Sequence, residues 1–382
     1  MSRILFLYLI CFIFFTGCGK KGAEYRNKPG SPESALPVKY ASGYTLEDSG
    51  HTRVITVKNP WQHASGIQYR YILSDTISQS SIIDELTCQI RIPVRRVVCL
   101  STTHIGFISF LGEERTVYGI SGKKYIVNES LRRRCAQDSV LDVGYDENLN
   151  YELLLKLKPD VVFAYGVSMA ITNTIKKINE LGIPVVMIGE YLEMQPLAKM
   201  EWVKVFAALY KKEHEIAVKF NEVADNYNHL TKLAVNSGNK PDVLLGLPWK
   251  GTWYVSGSQS YVASLIKDAG GKYIWDHLNF NESRPMALEK VFEHALASDI
   301  WMNPGDAQSK EDILAVDERF SVLPAFTNNR VYNNNNLQNQ SGGNAIFESG
   351  VVEPHLILSD LISILHPQLL PSHTLKYYRK LQ

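Results

Sequence analysis

The amino-terminal part of the chain body contains short stretches in which apolar and polar positions alternate. RVITV at 53–57 alternates cleanly and YRYIL at 69–73 less cleanly, with Asn59-Pro60 and Ser65-Gly66 between them. Alternation is typical of strands with one buried face, and Asn-Pro and Ser-Gly pairs favour turns. The pattern therefore predicts a small β-rich extension over residues 38–90.

From Pro93 onward, short and mainly apolar runs alternate with segments that favour helices. The runs lie at 96–100, 117–120, 161–164 and 184–188. Ser101-Thr102-Thr103 favours a helix start after the first run, and Gly112 favours the end of that helix. Continuous apolar runs are typical of parallel strands covered by helices on both faces. We predict a first α/β lobe over residues 91–195.

A long helical pattern follows this lobe. Residues 197–235 contain no proline or glycine, and the apolar positions between Ile216 and Leu230 step by four, three, four and three. This spacing places them on one face of a helix. It predicts one long linking helix within 196–238, or two nearly collinear helices, spanning about 55 Å at the rise of an α-helix.

Strand-like and helical segments alternate again beyond residue 239. In each half a glutamate opens a helix, Glu152 or Glu289, and an aspartate introduces a strand about one helix later, Asp160 or Asp299. The repetition predicts a second α/β lobe over residues 239–382. The chain is therefore expected to form two similar lobes joined by the linking helix.

The amino terminus has the features of an export signal. Arg3 precedes ILFLYLICFIFFT, an apolar run of about 13 residues that suits a signal peptide better than a membrane-spanning helix. The following TGC resembles a bacterial lipobox, which implies lipidation of Cys18; the alternative is a plain secretory signal. Residues 1–18 are thus predicted to be a lipoprotein signal peptide and 19–37 a flexible tether. The protein is expected to be exported to the periplasm and anchored to a membrane.

Composition narrows the classes of function. The net charge of +1 disfavours broad nucleic-acid binding. The sequence carries no G-x-S-x-G, H-E-x-x-H or P-loop motif, so an enzyme is not expected. Cys88, Cys99 and Cys135 form no metal motif. Two of them could form a disulfide in an oxidising periplasm, and the sequence does not identify the pair. The ten histidines lack ligand spacing, which disfavours a directly bound metal ion.

Several segments of the two predicted lobes form an ordered set: IPVRRVVCLSTTHIGFISFLGEERTVYGIS, NYELLLKLKPDVVFAYG, LGIPVVMIGEY, PLAKMEWVKVFAALYKKE, VSGSQSYVASLIKDAGGKYIW and MALEKVFEHALASDIWMN. In this order they resemble the substrate-binding lipoproteins of ABC importers for ferric siderophores, haem and cobalamin. The resemblance implies the class III periplasmic-binding-protein fold: two Rossmann-like α/β lobes, a single long rigid helix and a ligand cleft between the lobes.

The resemblance also implies a function. A monomer would capture a metal chelate, foremost a ferric siderophore, and deliver it to an inner-membrane ABC permease dimer with its ATPase subunits. Cobalamin and haem are alternatives with the same fold. The more distant alternatives are a protein that binds a bare Zn or Mn ion directly and a surface lipoprotein that works without a permease. No permanently bound cofactor is expected.

Loops at the carboxyl ends of the strands are the expected ligand contacts, because open α/β sheets bind ligands there. The candidates are Thr103, His104, Tyr165, Tyr191 and Glu193 in the first lobe and Trp249, Lys250, Trp253, Tyr254 and Asn303 in the second. His104 has the alternative of packing or capping a helix, and Glu193 that of capping the next helix. Trp249 is predicted to contact ligand, and Trp253 is expected to pack within its own lobe.

Glu152 and Glu289 are the candidate contacts to the permease. In the family that the chain resembles, one exposed acidic residue on each lobe docks on basic residues of the transporter, and these two glutamates occupy the matching helix starts. Their alternative role is a favourable interaction with the helix macrodipole.

Overall fold

The computed structural model describes residues 36–48, 52–145 and 148–382. The predicted signal peptide with Cys18, and all of the predicted tether except residues 36 and 37, lie outside the described residues. Within the described part of the chain, no helix is both long enough and apolar enough to cross a membrane.

The β-rich extension is a five-stranded sheet in the order β1-β2-β3-β5-β4, in which only the β3–β5 pair is parallel. Its strands are β1 (Tyr44–Asp48), β2 (Thr52–Lys58), β3 (Gln68–Ser74), β4 (Ser81–Ile82) and β5 (Thr87–Arg91). Tyr69, Tyr71 and Leu73 of β3 are buried while Gln68 and Arg70 are exposed. The alternation seen in the sequence thus buries one face of the sheet.

The first α/β lobe contains a parallel sheet in the order β10-β9-β6-β7-β8. Its strands are β6 (Val97–Cys99), β7 (Val117–Ile120), β8 (Leu141–Asp142), β9 (Val161–Ala164) and β10 (Val185–Met187). Its helices are α1 (Thr102–Phe110), α2 (Glu129–Ala136), α3 (Tyr151–Leu157) and α4 (Ile171–Glu180). Every residue of β6, β9 and β10 is buried, which explains their continuous apolar runs.

The segment predicted as one long helix is instead three helices, α5 (Pro196–Glu201), α6 (Val203–Tyr210) and α7 (Glu213–Val235). Lys211 ends α6 in the left-handed conformation, with φ of 57°. The carbonyl of Leu209 is thereby free to accept the Val94 N–H at 3.1 Å. This tertiary contact has no signature in the helical pattern. The long helix α7 has 23 residues, about 35 Å rather than 55 Å.

The second α/β lobe contains a sheet in the order β13-β11-β15-β16-β17, parallel except for β17, and a separate antiparallel pair β12–β14. Its strands are β11 (Asp242–Leu245), β12 (Trp253–Ser256), β13 (Lys272–Tyr273), β14 (Ser283–Met286), β15 (Ile300–Met302), β16 (Val331–Asn333) and β17 (Arg379–Lys380). Its helices are α8 (Tyr261–Asp268), α9 (Leu288–Ala295), α10 (Lys310–Val316), α11 (Pro324–Thr327) and α12 (Pro354–Leu365).

The long helix α7 is fastened to the second lobe by a partly buried hydrogen bond. The Tyr227 hydroxyl donates to Asp268 at the end of α8, with 2.6 Å between the oxygens. Burial raises the pKa of both groups, so the Tyr227 hydroxyl keeps the proton that it donates to Asp268. Two α/β lobes joined by a long helix and preceded by a β-rich extension confirm the predicted fold class.

Candidate functional site

A cavity of about 420 Å³ lies between strand-end loops of the first lobe and residues 342–347 of the second lobe. We call it the tyrosine cavity, because Tyr125, Tyr145 and Tyr165 line it together with Phe347. These four rings are between 37% and 59% exposed, so they present open aromatic surface. Hydroxyl and amide groups lie among them, from Ser101, Thr102, Ser121, Thr174 and Asn344.

The cavity is held closed on one side by a segment of the second lobe that clasps the first. This cross-lobe segment, residues 337–348, contributes the buried carboxylate of Glu348, which accepts the N–H groups of Val127 at 2.8 Å and Asn128 at 2.6 Å. The amide of Asn339 donates to the carbonyls of Lys124 and Ile126, both at 3.0 Å. These bonds keep the two lobes in one arrangement at this edge of the cleft.

Close backbone approach is part of the clasp. A Cβ on Gly343 would lie 2.0 Å from the carbonyl oxygen of Tyr125, and one on Gly106 would lie 1.9 Å from that of Glu348. Both positions therefore require glycine. The Thr103 hydroxyl adds a further bond across the lobes, donating to the Phe347 carbonyl at 3.0 Å.

A second cavity, of about 670 Å³, has three walls. The turn at 59–64 of the extension forms one wall, residues 191–194 of the first lobe the second, and residues 260–262 with 281–282 of the second lobe the third. We call it the three-walled cavity. Tyr191 lines it, and the Tyr191 hydroxyl donates to the carbonyl of Gly166 at 2.7 Å, directly after Tyr165 of the tyrosine cavity. The two cavities are therefore neighbours along the cleft.

Four of the five first-lobe candidates lie at the cleft. Tyr165 lines the tyrosine cavity, Tyr191 and Glu193 line the three-walled cavity, and Thr103 bonds to the cross-lobe segment. Partial burial raises the pKa of Tyr191 to about 12, so its hydroxyl keeps its proton and remains a hydrogen-bond donor.

His104 does not reach the cleft surface, and its predicted ligand contact is wrong for this conformation. Its side chain is fully buried, with the rings of Phe163, Tyr165 and Phe206 between 6.2 and 6.3 Å from its own. Among the described residues neither ring nitrogen has a hydrogen-bond partner. Burial lowers the His104 pKa to about 3, so the ring is neutral. His104 supports Tyr165 from within the core, as the packing alternative predicts.

Glu193 is also buried, and its carboxylate is used inside the protein. One oxygen accepts the N–H groups of Ser42 and Gly43, both at 2.9 Å, and the indole N–H of Trp202 at 3.1 Å. None of these bonds caps the next helix, and Glu193 also lines the three-walled cavity. Glu193 instead ties the chain that precedes β1 to the first lobe.

The aromatic cluster of the second lobe is a tight turn whose two tryptophans differ in environment. Lys250 and Gly251 have φ of 49° and 76°, as in the type I′ turns that join antiparallel strands. Trp249 is 62% exposed, and the Lys250 ammonium lies 4.5 Å from the centre of its ring. Trp253 is buried, donates its indole N–H to the Leu245 carbonyl at 3.0 Å and stacks on Trp301.

The second-lobe candidates do not gather around the cavities. Trp249, Lys250 and Tyr254 are solvent-exposed and line neither cavity. Asn303, with φ of 53°, also lies outside both linings. The turn of Trp249 therefore does not lie opposite Thr103 and His104 across the cleft. The cross-lobe segment lies opposite Thr103 instead and lines the tyrosine cavity.

The two candidate docking glutamates occupy equivalent positions. Glu152 is the second residue of α3 and Glu289 the second residue of α9, and both side chains are exposed. Each lobe therefore presents one carboxylate in the first turn of a helix.

The three described cysteines, Cys88, Cys99 and Cys135, are free and buried. Burial raises the pKa of each thiol, that of Cys88 to about 11. In the described ranges no three His, Cys, Asp or Glu side chains are grouped so that they could hold a metal ion.

Sequence reasoning did not find Tyr125, Tyr145 and Phe347. Tyr125 and Tyr145 follow β7 and β8, so the rule that ligands meet the carboxyl ends of strands applies to them as well. Phe347 belongs to the cross-lobe segment, and nothing in its local sequence indicates a contact with the first lobe.

The chain matches the model of the periplasmic binding protein family over residues 97–336 and therefore belongs to this family. Its members are substrate-binding proteins. Two uncharacterized lipoproteins of Methanocaldococcus jannaschii are 29% and 28% identical to it, over 76% and 77% of this chain and 70% and 75% of their own.

Solved structures share the fold at low sequence identity. A possible iron-binding (periplasmic solute-binding) protein from Staphylococcus epidermidis has a TM-score of 0.55 at 16% identity and covers 72% of this chain and 99% of its own. CeuE from Helicobacter pylori with Ni(II) bound has 0.57 at 17%, covering 77% and 91%. A periplasmic heme-binding protein from Pseudomonas aeruginosa has 0.53 at 14%, covering 76% and 98%.

Proposed function

We propose that this protein is the solute-binding component of an ABC importer and captures a metal chelate, foremost a ferric siderophore, in the cleft between its lobes. The observation that carries the proposal is the tyrosine cavity, a space of about 420 Å³ between the lobes with four partly exposed aromatic rings. Membership of the periplasmic binding protein family supports the solute-binding role.

The lining suits a large ligand with an extended, partly apolar surface. Tyrosine and phenylalanine bury a large area against such a ligand and lose little conformational entropy in doing so. The hydroxyls of Ser101, Thr102 and Ser121 supply directional hydrogen bonds. A few polar groups within an aromatic cavity are typical of small-molecule sites.

A chelate accounts for this lining better than a bare ion. Zinc and manganese bind to imidazole, thiolate or carboxylate ligands in close geometry, whereas the tyrosine cavity presents rings, hydroxyls and an amide. Haem is the second candidate ligand, because one structural neighbour is a periplasmic heme-binding protein. Cobalamin is a further candidate on the same aromatic lining.

Export and anchoring complete the proposal. Cys18 would carry the lipid after cleavage of the signal peptide, in keeping with the two relatives named as lipoproteins. Glu152 and Glu289 would dock on the permease, since both are exposed and occupy equivalent helix starts.

Fluorescence titration of a soluble form that begins after Cys18 tests the proposal. Ferric siderophores, haem and cyanocobalamin are added separately, with correction for their absorbance. We expect saturable quenching by one of them. Phe347→Ala and Tyr145→Ala should each weaken that binding by about tenfold, because each removes an aromatic contact.

Tyr254→Ala is the matched comparison. Tyr254 is 49% exposed but lies outside both cavities, so its removal should change the dissociation constant less than twofold. Quenching by none of the ligands would refute the proposed function. Equal effects of all three substitutions would refute the tyrosine cavity as the site.

A further inference from the structure

The β-rich extension reaches the cleft at one place. Its turn at 59–64 lies beside residues of both lobes in the three-walled cavity. This cavity, of about 670 Å³, is larger than the tyrosine cavity beside it. The extension is therefore positioned to contact any ligand that extends beyond the tyrosine cavity.

The extension is fixed firmly to the first lobe and to α5, so its turn has a defined position. The fully buried carboxylate of Glu201 accepts the N–H groups of residues 39–41 at 2.7 to 2.9 Å and the Lys204 ammonium at 2.6 Å. The Met187 N–H at the end of β10 donates to the buried Tyr71 hydroxyl at 2.8 Å. Together with the bonds of Glu193, these contacts join the extension to the lobe through buried polar groups.

The turn itself is ordered by internal contacts. The N–H of Asn59 donates to the Ile67 carbonyl at 2.8 Å, and the Ala64 N–H donates to the Trp61 carbonyl at 3.1 Å. Trp61 is buried and packs edge-on against Tyr69. Gln62 and His63, between these anchors, remain exposed at the cavity.

The turn also meets the second lobe. The Nε2 atom of His63 lies 3.4 Å from a carboxylate oxygen of Glu282. Both groups are solvent-accessible, so the pair adds little stability. It does show that the extension and the second lobe approach each other across the cavity.

Uncharged hydrogen-bonding groups face this cavity, interspersed with apolar side chains such as Leu192, Met194 and Val262. Asn59, Gln62 and Asn281 supply amides, and Ser260 and Tyr191 supply hydroxyls. Glu282 lies beside His63, and the Glu193 carboxylate is bonded to Ser42 of the extension and to Trp202. Amides and hydroxyls complement amide or hydroxyl groups of a ligand, because each can donate and accept.

We propose that the turn at 59–64 is a third wall of the ligand cleft and binds the uncharged, amide- or hydroxyl-bearing periphery of the chelate. The remainder of the chelate occupies the neighbouring tyrosine cavity, past Tyr165 and Tyr191. This inference rests on the proposed function and extends it to the ligand's chemical class. The extension thereby contributes to specificity, which the two lobes alone do not determine.

Isothermal titration of the full chain in detergent tests the third wall. The probes are cyanocobalamin and the ferric complex of desferrioxamine, which both carry amide groups, and haem, which carries two carboxylates. The test variant is the double substitution Gln62→Ala/His63→Ala. We expect this variant to bind whichever amide-bearing probe the unsubstituted protein binds about tenfold more weakly. A tenfold loss corresponds to the loss of one or two hydrogen bonds.

The matched control is Asn226→Ala/His229→Ala, which removes the same kinds of group from the exposed face of α7, outside both cavities. It should bind within twofold of the unsubstituted protein. All four substituted positions are exposed, so both variants are expected to fold, and their thermal unfolding curves verify this.

The outcomes separate this inference from the proposed function. Failure of all three probes to bind the unsubstituted protein overturns both. Binding that Phe347→Ala weakens but Gln62→Ala/His63→Ala leaves unchanged overturns only the third wall. If haem binds most tightly and Gln62→Ala/His63→Ala does not change its affinity, the proposal that the ligand carries uncharged amide or hydroxyl groups is overturned.

Discussion

Trp249 and Trp253 show how strongly environment separates two identical side chains four positions apart. Trp253 is buried with its indole N–H bonded to a carbonyl, whereas Trp249 is 62% exposed at the tip of a turn. The sequence predicted that Trp253 packs within its own lobe, and the structure buries it there. Burial, rather than residue type, therefore decides which of them stabilises the second lobe.

We predict opposite outcomes for alanine at these two positions. Trp253→Ala should lower the free energy of unfolding by about 3–5 kcal/mol, since it leaves a cavity beside Trp301 and an unpaired Leu245 carbonyl. Trp249→Ala should change it by less than about 0.5 kcal/mol. Urea unfolding measures both values, and equal losses in the two variants would contradict the prediction.

Glu190 supplies a prediction about pH. Its carboxyl is buried, and burial raises its pKa from 4.5 to about 6, against a smaller opposing effect of Lys199. The folded state binds the Glu190 proton more tightly than the unfolded state does. The stability that protonated Glu190 contributes is therefore complete below pH 4.5 and is lost as the pH rises through about 6.

Glu190→Gln removes this dependence. At pH 7.5 the variant should be more stable than the unsubstituted protein by up to about 2 kcal/mol, the equivalent of the pKa shift. At pH 4 the difference should vanish. Glu180→Gln, at an exposed position, is the control and should show no such change with pH. Urea unfolding at both values provides the measurement, and a variant less stable at pH 7.5 would refute the argument.

At the scale of single residues, the sequence predicted which positions follow strands but not which way their side chains turn. Tyr165 and Tyr191 reach the cleft as predicted from their position after apolar strands. His104 and Glu193 also follow strands, yet their partners, Phe206 and Ser42, come from distant parts of the chain. Those contacts have no local sequence signal.

At the scale of elements, the cross-lobe segment is the main feature that joins the lobes beside α7. It brings Glu348 and Asn339 to the backbone around Val127 and packs against Gly106 of α1. Segments with little regular structure can fix two lobes when buried backbone groups find partners in this way.

Gly106→Ala tests the clasp. The new methyl group would lie 1.9 Å from the Glu348 carbonyl oxygen, which is backbone and cannot turn aside. The segment must therefore move off α1, and we expect a loss of at least about 2 kcal/mol in the free energy of unfolding. Gly350→Ala should cost less, because its methyl would lie 3.2 Å from the Ile357 side chain and no closer than 3.4 Å to any other atom. A tolerated Gly106→Ala would show that the clasp is loose.

Regular elements were predicted well where the apolar pattern alone decides them. Strands β6, β9 and β10 and the start of α3 at Tyr151 lie where the pattern placed them. The sequence did not predict the end of α6 at Lys211, which has a left-handed backbone conformation. There the Leu209 carbonyl accepts the N–H of Val94, a residue more than 100 positions earlier in the chain. Local propensity cannot report that bond.

At the scale of the whole molecule, the cleft is built from parts that are far apart in the sequence. The turn at 59–64, the loops of the first lobe and the cross-lobe segment at 337–348 meet only after folding. The two-lobed plan could be read from alternating strands and helices. The composition of the cleft could not, because it depends on which irregular segments the lobes bring together.

The proposed docking on a permease involves both lobes and therefore belongs to the scale of the whole molecule. Glu152 and Glu289 each present an exposed carboxylate in the first turn of a helix, one on each lobe. Two carboxylates on one molecule can pair with two basic sites on a transporter and fix its orientation.

We predict that Glu152→Lys/Glu289→Lys abolishes uptake in cells that depend on this protein, while the affinity for ligand stays within twofold. Neither glutamate lines the tyrosine cavity or the three-walled cavity, so reversal of charge should affect docking alone. The matched control is Glu129→Lys/Glu311→Lys, which reverses exposed first-turn carboxylates of α2 and α10, one in each lobe, and shares the same loss of favourable helix-dipole interaction. Uptake should persist in this control. If both double variants lose uptake equally, the effect is one of general charge and not of a docking pair.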